Sequence, residues 1–317
     1  MQPWMHKFGR RGLGALVAIA GVLLLVFSLK HLVPGDPVDA MLGEQAQSID
    51  RQALQHCLGL DQSLLQQLGG FLRGVANGTL GHSCLDPNVT VSRLIARAFP
   101  YTFALALSSV LFALLLAVPL ALLCVWHPRG WVDMAASVLA LLGLAIPSLW
   151  LGPLLLRLFY VELGWLPGPA DDASTFAALV LPMFTLGLHL AALLTRMLRS
   201  SLLELTSEDF MRTAIAKGLS RAAALRKHAL RPALLPMVTI AGLQMAGLLG
   251  GAVVTERIFG RPGLGTLLLD ALAVRDWKVI EGTVLVMACS YVLINLVVDL
   301  IYAALDPRLR ISEVPPA

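Results

Sequence analysis

Charge is what this 317-residue sequence lacks. Lys+Arg is 24 and Asp+Glu is 20, so charged residues make up 14%, against about 25% in an average soluble domain. So few ionic groups cannot cover the surface of a water-soluble globule, and a soluble enzyme is excluded. Hydrophobic residues reach 57% and mean hydropathy is +0.76. That also excludes a disordered chain, which would be polar and highly charged. Nucleotide and metal signatures are missing as well. There is no G-x-x-x-x-G-K-[ST] loop, no H-E-x-x-H and no C-x-x-C, so P-loop binding of ATP by this chain is excluded. Gly218-Leu219-Ser220 has the outline of a hydrolase Gly-x-Ser, but it lies in a basic loop with no predicted buried His partner. Mid-span carboxylates, which an ion-coupled carrier would use, are represented by Asp299 alone. These two minor readings, an intramembrane hydrolase and a secondary carrier, rest on Ser220 and Asp299.

What is present is a series of long uncharged runs. They lie between Arg11 and Lys30, Arg97 and His127, Asp133 and Arg157, Asp172 and Arg196, Arg231 and Glu256, and Glu281 and Asp299. Each approaches or exceeds the roughly 20 apolar residues that cross a bilayer. None alternates with period two, so a β-barrel is excluded and a bundle of six membrane helices is expected. Apolar residues continue past Asp299 to Leu305, which puts Asp299 inside the sixth helix. The first run is expected to be a retained anchor rather than a signal peptide, since no small-residue cleavage site follows it.

Loop charges alternate in sign. Residues 1–11 are basic, the tail after 305 holds Arg308 and Arg310, 196–231 carries eight bases against three acids, and 34–97 carries six acids against four arginines. The positive-inside rule then places both termini and 196–231 in the cytoplasm, and 34–97, 161–177 and 256–281 outside.

Two of the four cysteines, Cys124 and Cys289, fall in predicted spans, where they act as small apolar residues. Cys57 and Cys84 share the long outward loop. Spacing leaves open whether they form a disulfide or are unrelated thiols. The same loop predicts a short helix ending near Gly59 and an amphipathic helix over 63–75, whose apolar face fits either packing on the bundle rim or an external partner.

Segment 199–232 is dense in helix signals. Thr206 or Ser207 can cap a helix that begins with Glu208 and Asp209, runs through Met211–Lys217 and stops at Gly218. Ser220 can cap a second, basic helix over 221–231, ahead of Pro232 and Pro236. Small Ala214 and Ala216 would let another protein approach closely. A docking element fits this pattern better than a polybasic loop that attracts lipid. Outside, Gly260-Arg261-Pro262-Gly263 is a turn signal before the apolar stretch Leu264–Val274, which fits a re-entrant element at the outer gate.

Ordered motifs along almost the whole chain resemble one family. They are Leu32-Val33-Pro34-Gly35-Asp36-Pro37, Leu58-Gly59-Leu60-Asp61-Gln62, Gly78-Thr79-Leu80-Gly81-His82-Ser83, Pro147-Ser148-Leu149-Trp150-Leu151-Gly152 and Leu163-Gly164-Trp165-Leu166-Pro167. Glu208 through Leu219, with Arg226 and His228, follow; then Leu249 through Glu256, Pro262-Gly263-Leu264-Gly265 and Asp306-Pro307-Arg308. The chain is similar to permease subunits of dipeptide, oligopeptide and nickel ABC importers. That resemblance implies an all-α fold of the type I ABC importer permease kind, multi-pass in a bacterial inner membrane. It implies an N-terminus and first helix over 1–33, a periplasmic loop domain over 34–97, and a five-helix core over 98–317 with a cytoplasmic coupling helix at about 204–232.

It also implies a non-catalytic role. Two ATP-binding subunits, a second homologous permease, a periplasmic solute-binding protein and membrane lipid would be the partners, with no nucleic acid. ATP and Mg would be held by the partner subunits and no cofactor by this chain. Di- or oligopeptides are the expected cargo, with nickel or another small solute as the alternative. The residues expected to meet the ATPase are Glu208, Phe210, Arg212, Thr213, Ala214, Lys217, Gly218, Leu219 and His228. Those expected at the outer gate, or against the binding protein, are Glu256, Pro262 and Gly263. Arg212 stands where the general importer motif has Glu, six positions before Gly218. The spans lack a His, Cys and carboxylate cluster of the kind that ligates metals.

Overall fold

The computed structural model describes residues 2–32, 38, 48–128, 130–169 and 171–305. Val33–Pro37 and Asp306–Arg308 of the family motifs lie outside the described residues, as do Asp36, Asp39, Glu44, Arg129 and Arg310 of the charge pattern. Among the described residues the chain is helical, with one isolated antiparallel bridge between His82 and Thr90. In order the helices are α1 (Gln2–Leu32), α2 (Ser48–Leu58), α3 (Leu64–Ala76), α4 (Val91–Trp126), α5 (Trp131–Ala145) and α6 (Ser148–Leu156). A π-helical turn at Arg157–Glu162 follows, then α7 (Phe176–Thr206), α8 (Asp209–Ala216) and α9 (Arg221–Ala224). A second π-turn at Leu225–Ala229 leads into α10 (Leu230–Gly251), α11 (Val253–Ile258), α12 (Leu264–Ala273) and α13 (Trp277–Leu305).

Four helical stretches among the described residues are long and apolar enough to cross a membrane: Val91–Trp126, Phe176–Thr206, Arg221–Gly250 and Trp277–Tyr302. The first expected span lies within α1, where Gly14–Ser28 is a shorter apolar stretch. The third is not one helix. Ile146, ahead of Pro147, is extended at φ −81° and ψ 115°, the conformation a following proline favours. Residues 131–162 therefore form α5, α6 and a π-turn in succession. The fifth span also differs from its expected bounds. It starts ten residues earlier and runs through Pro232 and Pro236 without stopping, because the lipid phase offers the freed backbone no alternative to staying helical. It ends at Gly251, so Glu256 belongs to the separate α11. Asp299 lies inside α13, and so does Glu281, the charge that bounds the last uncharged run.

The chain divides into two compact units. Unit 1 comprises residues 1–103 and 249–293, and unit 2 comprises 104–248 and 294–317. Unit 2 packs small residues against large ones. Ala113, Ala117 and Ala121 recur every four residues on α4, Leu194, Leu198 and Leu202 do so on α7, and Ala229, Ala233, Met237 and Ala241 continue the pattern into α10. Four-residue spacing puts each series on one helix face. Small side chains let membrane helices approach closely, which is what drives packing where burial from water does not. The Val298 side chain of α13 occupies the place that a Cβ on Gly242 would take. Asp133 of α5 and Arg199 of α7 form a bidentate pair, Nε to Oδ1 at 2.6 Å and Nη2 to Oδ2 at 2.8 Å. Unit 1 buries Leu54, Leu58, Val91, Ile95, Leu264, Trp277 and Ile280 in one cluster.

Candidate functional site

Helix α8 is short and carries its own stop. Leu219 N–H donates to the Ala214 carbonyl (3.3 Å) and Gly218 N–H to the Ile215 carbonyl (2.9 Å). This is a Schellman cap with Gly218 at φ +92°. A Cβ at Gly218 would meet nothing within 4 Å. The glycine is needed for its backbone angle and not for space. Glu208 is the N-cap residue. Neither expected capping hydroxyl serves α8. Thr206 Oγ1 donates to the Leu203 carbonyl and Ser207 Oγ to the Glu204 carbonyl, because α7 ends only at Thr206 and leaves its last carbonyls without intrahelical partners. Ser220 Oγ accepts from Ala223 N–H (3.3 Å) and caps α9, as expected. The second helix then runs on through the π-turn instead of ending at residue 231.

The sides of α8 differ. Met211 and Ala214 are buried in the same cluster as Leu194, Leu198, Leu202, Ala224, Leu225 and Ala229, and Leu219 packs against it. Ala214 is therefore turned into its own chain, and the close approach expected at Ala214 and Ala216 is open only at exposed Ala216. Phe210 is 42% exposed and Ile215 46%. Glu208, Arg212, Thr213, Lys217 and Gly218 are exposed beside them, as is His228 on the π-turn. Arg212 lies 3.5 Å from Asp209 in a surface pair, and Thr213 Oγ1 donates back to the Asp209 carbonyl. At about 3.6 residues per turn Phe210 and Ile215 flank the buried side of α8 on its two edges, with charged and polar residues between them on the outer side, on a helix whose inner face is locked into the span core.

The second predicted group, Glu256, Pro262 and Gly263, comes together differently. Glu256 is wholly buried. Its Oε1 accepts from Thr102 Oγ1 (2.5 Å), and its Oε2 accepts from the N–H groups of Gly265 (2.8 Å) and Thr266 (3.1 Å). Thr102 Oγ1 in turn accepts from Leu264 N–H (2.8 Å). One carboxyl and one hydroxyl thus satisfy three of the otherwise orphaned donors at the start of α12. Space around the carboxyl is closed. A Cβ at Gly263 would collide with Glu256 Oε1, and one at Gly265 would lie 2.5 Å from Val253 Cα. Burial pushes the Glu256 carboxyl above its ordinary range, although Thr102, the two amides and Arg261 all favour the charged form. Arg261 is itself buried, which holds its guanidinium below its usual range, and it lies over the Tyr101 ring at 5.6 Å. Glu256 and Gly263 are buried within the chain. Only Pro262 of the three is exposed.

Cys57 and Cys84 form a disulfide with Cα atoms 5.8 Å apart. The adjacent Ser83 Oγ donates to buried Asp276, which also accepts at Oδ1 from Val279 N–H at the start of α13. Sequence reading missed Thr102, Arg199, Ser83 and Asp276. Their partners lie 66 to 193 residues away along the chain, and no local signal marks them.

The sequence matches the family described as "Binding-protein-dependent transport system inner membrane component" over residues 109–311, and the N-terminal family of the same membrane components over residues 5–106. A protein named glutathione transport system permease protein GsiC from Pectobacterium atrosepticum is 39% identical over 306 residues, covering 96% of this chain and 99% of that protein. The protein of the same name from Salmonella typhi is 40% identical over 302 residues, covering 95% and 97%. Among solved structures, a chain of the MetNI methionine ABC transporter in an inward-facing conformation aligns with TM-score 0.55 and 22% identity. The alignment covers 67% of this chain and 96% of that one. At that identity the likeness is one of fold, and it gives the chain the permease fold of an ABC importer.

Proposed function

Because the chain belongs to the family of binding-protein-dependent transport system inner membrane components, we propose that it is one of two permease subunits of an importer for di- or oligopeptides. A periplasmic solute-binding protein delivers the cargo. Two partner subunits bind ATP and Mg, and their closure moves α8. This chain supplies a helix bundle that switches access from one side to the other. Segment 196–231 faces the cytoplasm in this reading, on the strength of its basic excess. The names of the relatives favour a small peptide of glutathione's size as cargo.

One observation carries the coupling role: α8 buries Met211 and Ala214 within the span core, holds Phe210 and Ile215 exposed at the two edges of that face, and turns Asp209, Arg212, Thr213 and Ala216 outward. A helix so seated passes displacement into the spans, where a loop lying free would absorb it. The test is co-purification with the ATP-binding subunits together with ATP-driven uptake of labelled glutathione into vesicles. Phe210→Asp combined with Ile215→Asp is expected to abolish both. Retained assembly and uptake would overturn the assignment. Uptake without ATP by this chain alone would point to a carrier instead.

A further inference from the structure

Helix α3 is amphipathic in the sense opposite to that of a helix in water. At 3.6 residues per turn, Gln67, Phe71 and Gly74 share one side, and Leu65, Leu68 and Leu72 share another. Contacts fix which side meets the rest of unit 1. Gln67 Nε2 donates to the Gln62 carbonyl (3.0 Å), and its Cγ would lie 3.7 Å from a Cβ at Gly59. A Cβ at Gly74 would lie 3.4 Å from Gly81 N. The Phe71 ring packs tilted against Phe27 of α1, with centroids 6.1 Å apart. The amide-bearing edge is therefore turned toward protein. The leucines are turned away: Leu64 is 60% exposed, Leu65 82% and Leu72 43%, and no α3 residue is buried. Water selects the reverse arrangement.

Helix α1, which meets α3 through Phe27, also exposes apolar side chains. Its Leu16, Val17, Leu24 and Leu25 are all more than half exposed, and Phe27, which holds α3, is two residues beyond Leu25. In an inner-membrane protein such an outward apolar strip faces acyl chains. The third side of α3 carries exposed Gln66, Gly70 and Arg73, the groups a helix lying in the interface turns toward water and headgroups.

We propose that α3 lies in the headgroup–acyl boundary of the bilayer, with Leu64, Leu65 and Leu72 in phospholipid and Arg73 at headgroup level. It is an interfacial foot attached to α1, and not a face reserved for the solute-binding protein or a second permease. The experiment uses the full-length chain with Cys124→Ala and Cys289→Ala, its disulfide intact, in phosphatidylethanolamine–phosphatidylglycerol vesicles. Nitroxides are attached through Leu65→Cys, Leu72→Cys, Gln66→Cys or Gly70→Cys. Collisions with oxygen should exceed those with a water-soluble nickel chelate at positions 65 and 72, and the order should reverse at 66 and 70. Nickel-dominated collisions at 65 and 72 would mean water, and shielding from both reagents would mean protein. Either result overturns the proposal. A thiol-free check is Leu65→Trp in vesicles of brominated phospholipid. Emission gained over the wild type should be quenched, and unquenched emission overturns the proposal independently of disulfide pairing.

Discussion

At Gly265 the chain has no room for a side chain, since a Cβ would lie 2.5 Å from the Val253 backbone. At Gly218 there is ample room and the constraint is the angle, φ +92°. The two glycines stand for their units. Unit 1 closes a polar cluster on itself: Glu256 with Thr102 and the start of α12, Ser83 with Asp276, and a disulfide beside Ser83. Unit 2 packs an apolar core in which Ser109, Asp133, Thr185 and Thr195 are also buried, and it leaves the groups proposed to meet a partner exposed on α8. Where partners are internal, geometry is fixed from every side and substitutions meet atoms. Where the partner is another molecule, as proposed for α8, the chain need only hold a backbone shape.

The sharpest way to break this contrast is Gly265→Ala. The nearest atom is backbone and cannot swing aside, so a loss of about 3 kcal/mol or more is expected, read as a lowered Tm in detergent. Gly265→Asn should be no better. Next comes Cys57→Ser with Cys84→Ser. It opens a closure of 27 residues and should cost about 3 kcal/mol, measured by denaturant unfolding of the purified chain against the wild type with its disulfide intact.

Glu256→Gln should cost about 1–3 kcal/mol, because one acceptor oxygen serving Thr102 or the α12 amides becomes a donor. Its pH dependence is specific. Burial raises the folded-state value of Glu256 above the unfolded one. The contribution of the wild-type carboxyl is therefore full below the unfolded carboxylate range and is lost as pH rises through the folded value. The stability gap between wild type and Glu256→Gln should narrow as pH is raised from acid toward neutral and above. A gap that widens would remove burial as the dominant influence.

In unit 2, Gly218→Ala should cost about 1 kcal/mol, the penalty for a Cβ in the left-handed region. Gly218→Asn should recover part of it, which Asn cannot do at Gly265. Smallest of all is the effect of Phe210→Asp with Ile215→Asp on thermal stability. It should stay within about 0.5 kcal/mol, while partner binding is lost. A large fall in Tm would mean that these side chains support the fold and are not held out for a partner.

Features encoded by neighbouring residues are legible in the amino-acid sequence. The amphipathic helix around Ser63–Val75, the stop at Gly218, the cap at Ser220 and the inclusion of Asp299 in the last helix all follow from short-range patterns. Pro147 is legible too, yet the uncharged run from Asp133 to Arg157 outweighs it, and the break at Ile146 shows that proline's restriction on its predecessor prevails. Thr206 and Ser207 have the chemistry of N-caps, but they fall at the end of α7, where carbonyls and not amides want partners. The side of α8 that Ala214 occupies cannot be read locally, because it depends on where α7 and the π-turn pack. Glu256 and Thr102 are separated by 154 residues, and only the folded chain brings a hydroxyl to that carboxyl.

The stretch Arg221–Gly250 is 30 residues of helix that pass through the π-turn at Leu225–Ala229, roughly 45 Å long at about 1.5 Å per residue. It begins three residues beyond Gly218. A rod of that length is a lever arm: a tilt of about 5° carries its far end roughly 4 Å over that distance. In the coupling role proposed above, a shift smaller than one helix diameter at the α8 end would reach the far end without any segment having to unfold.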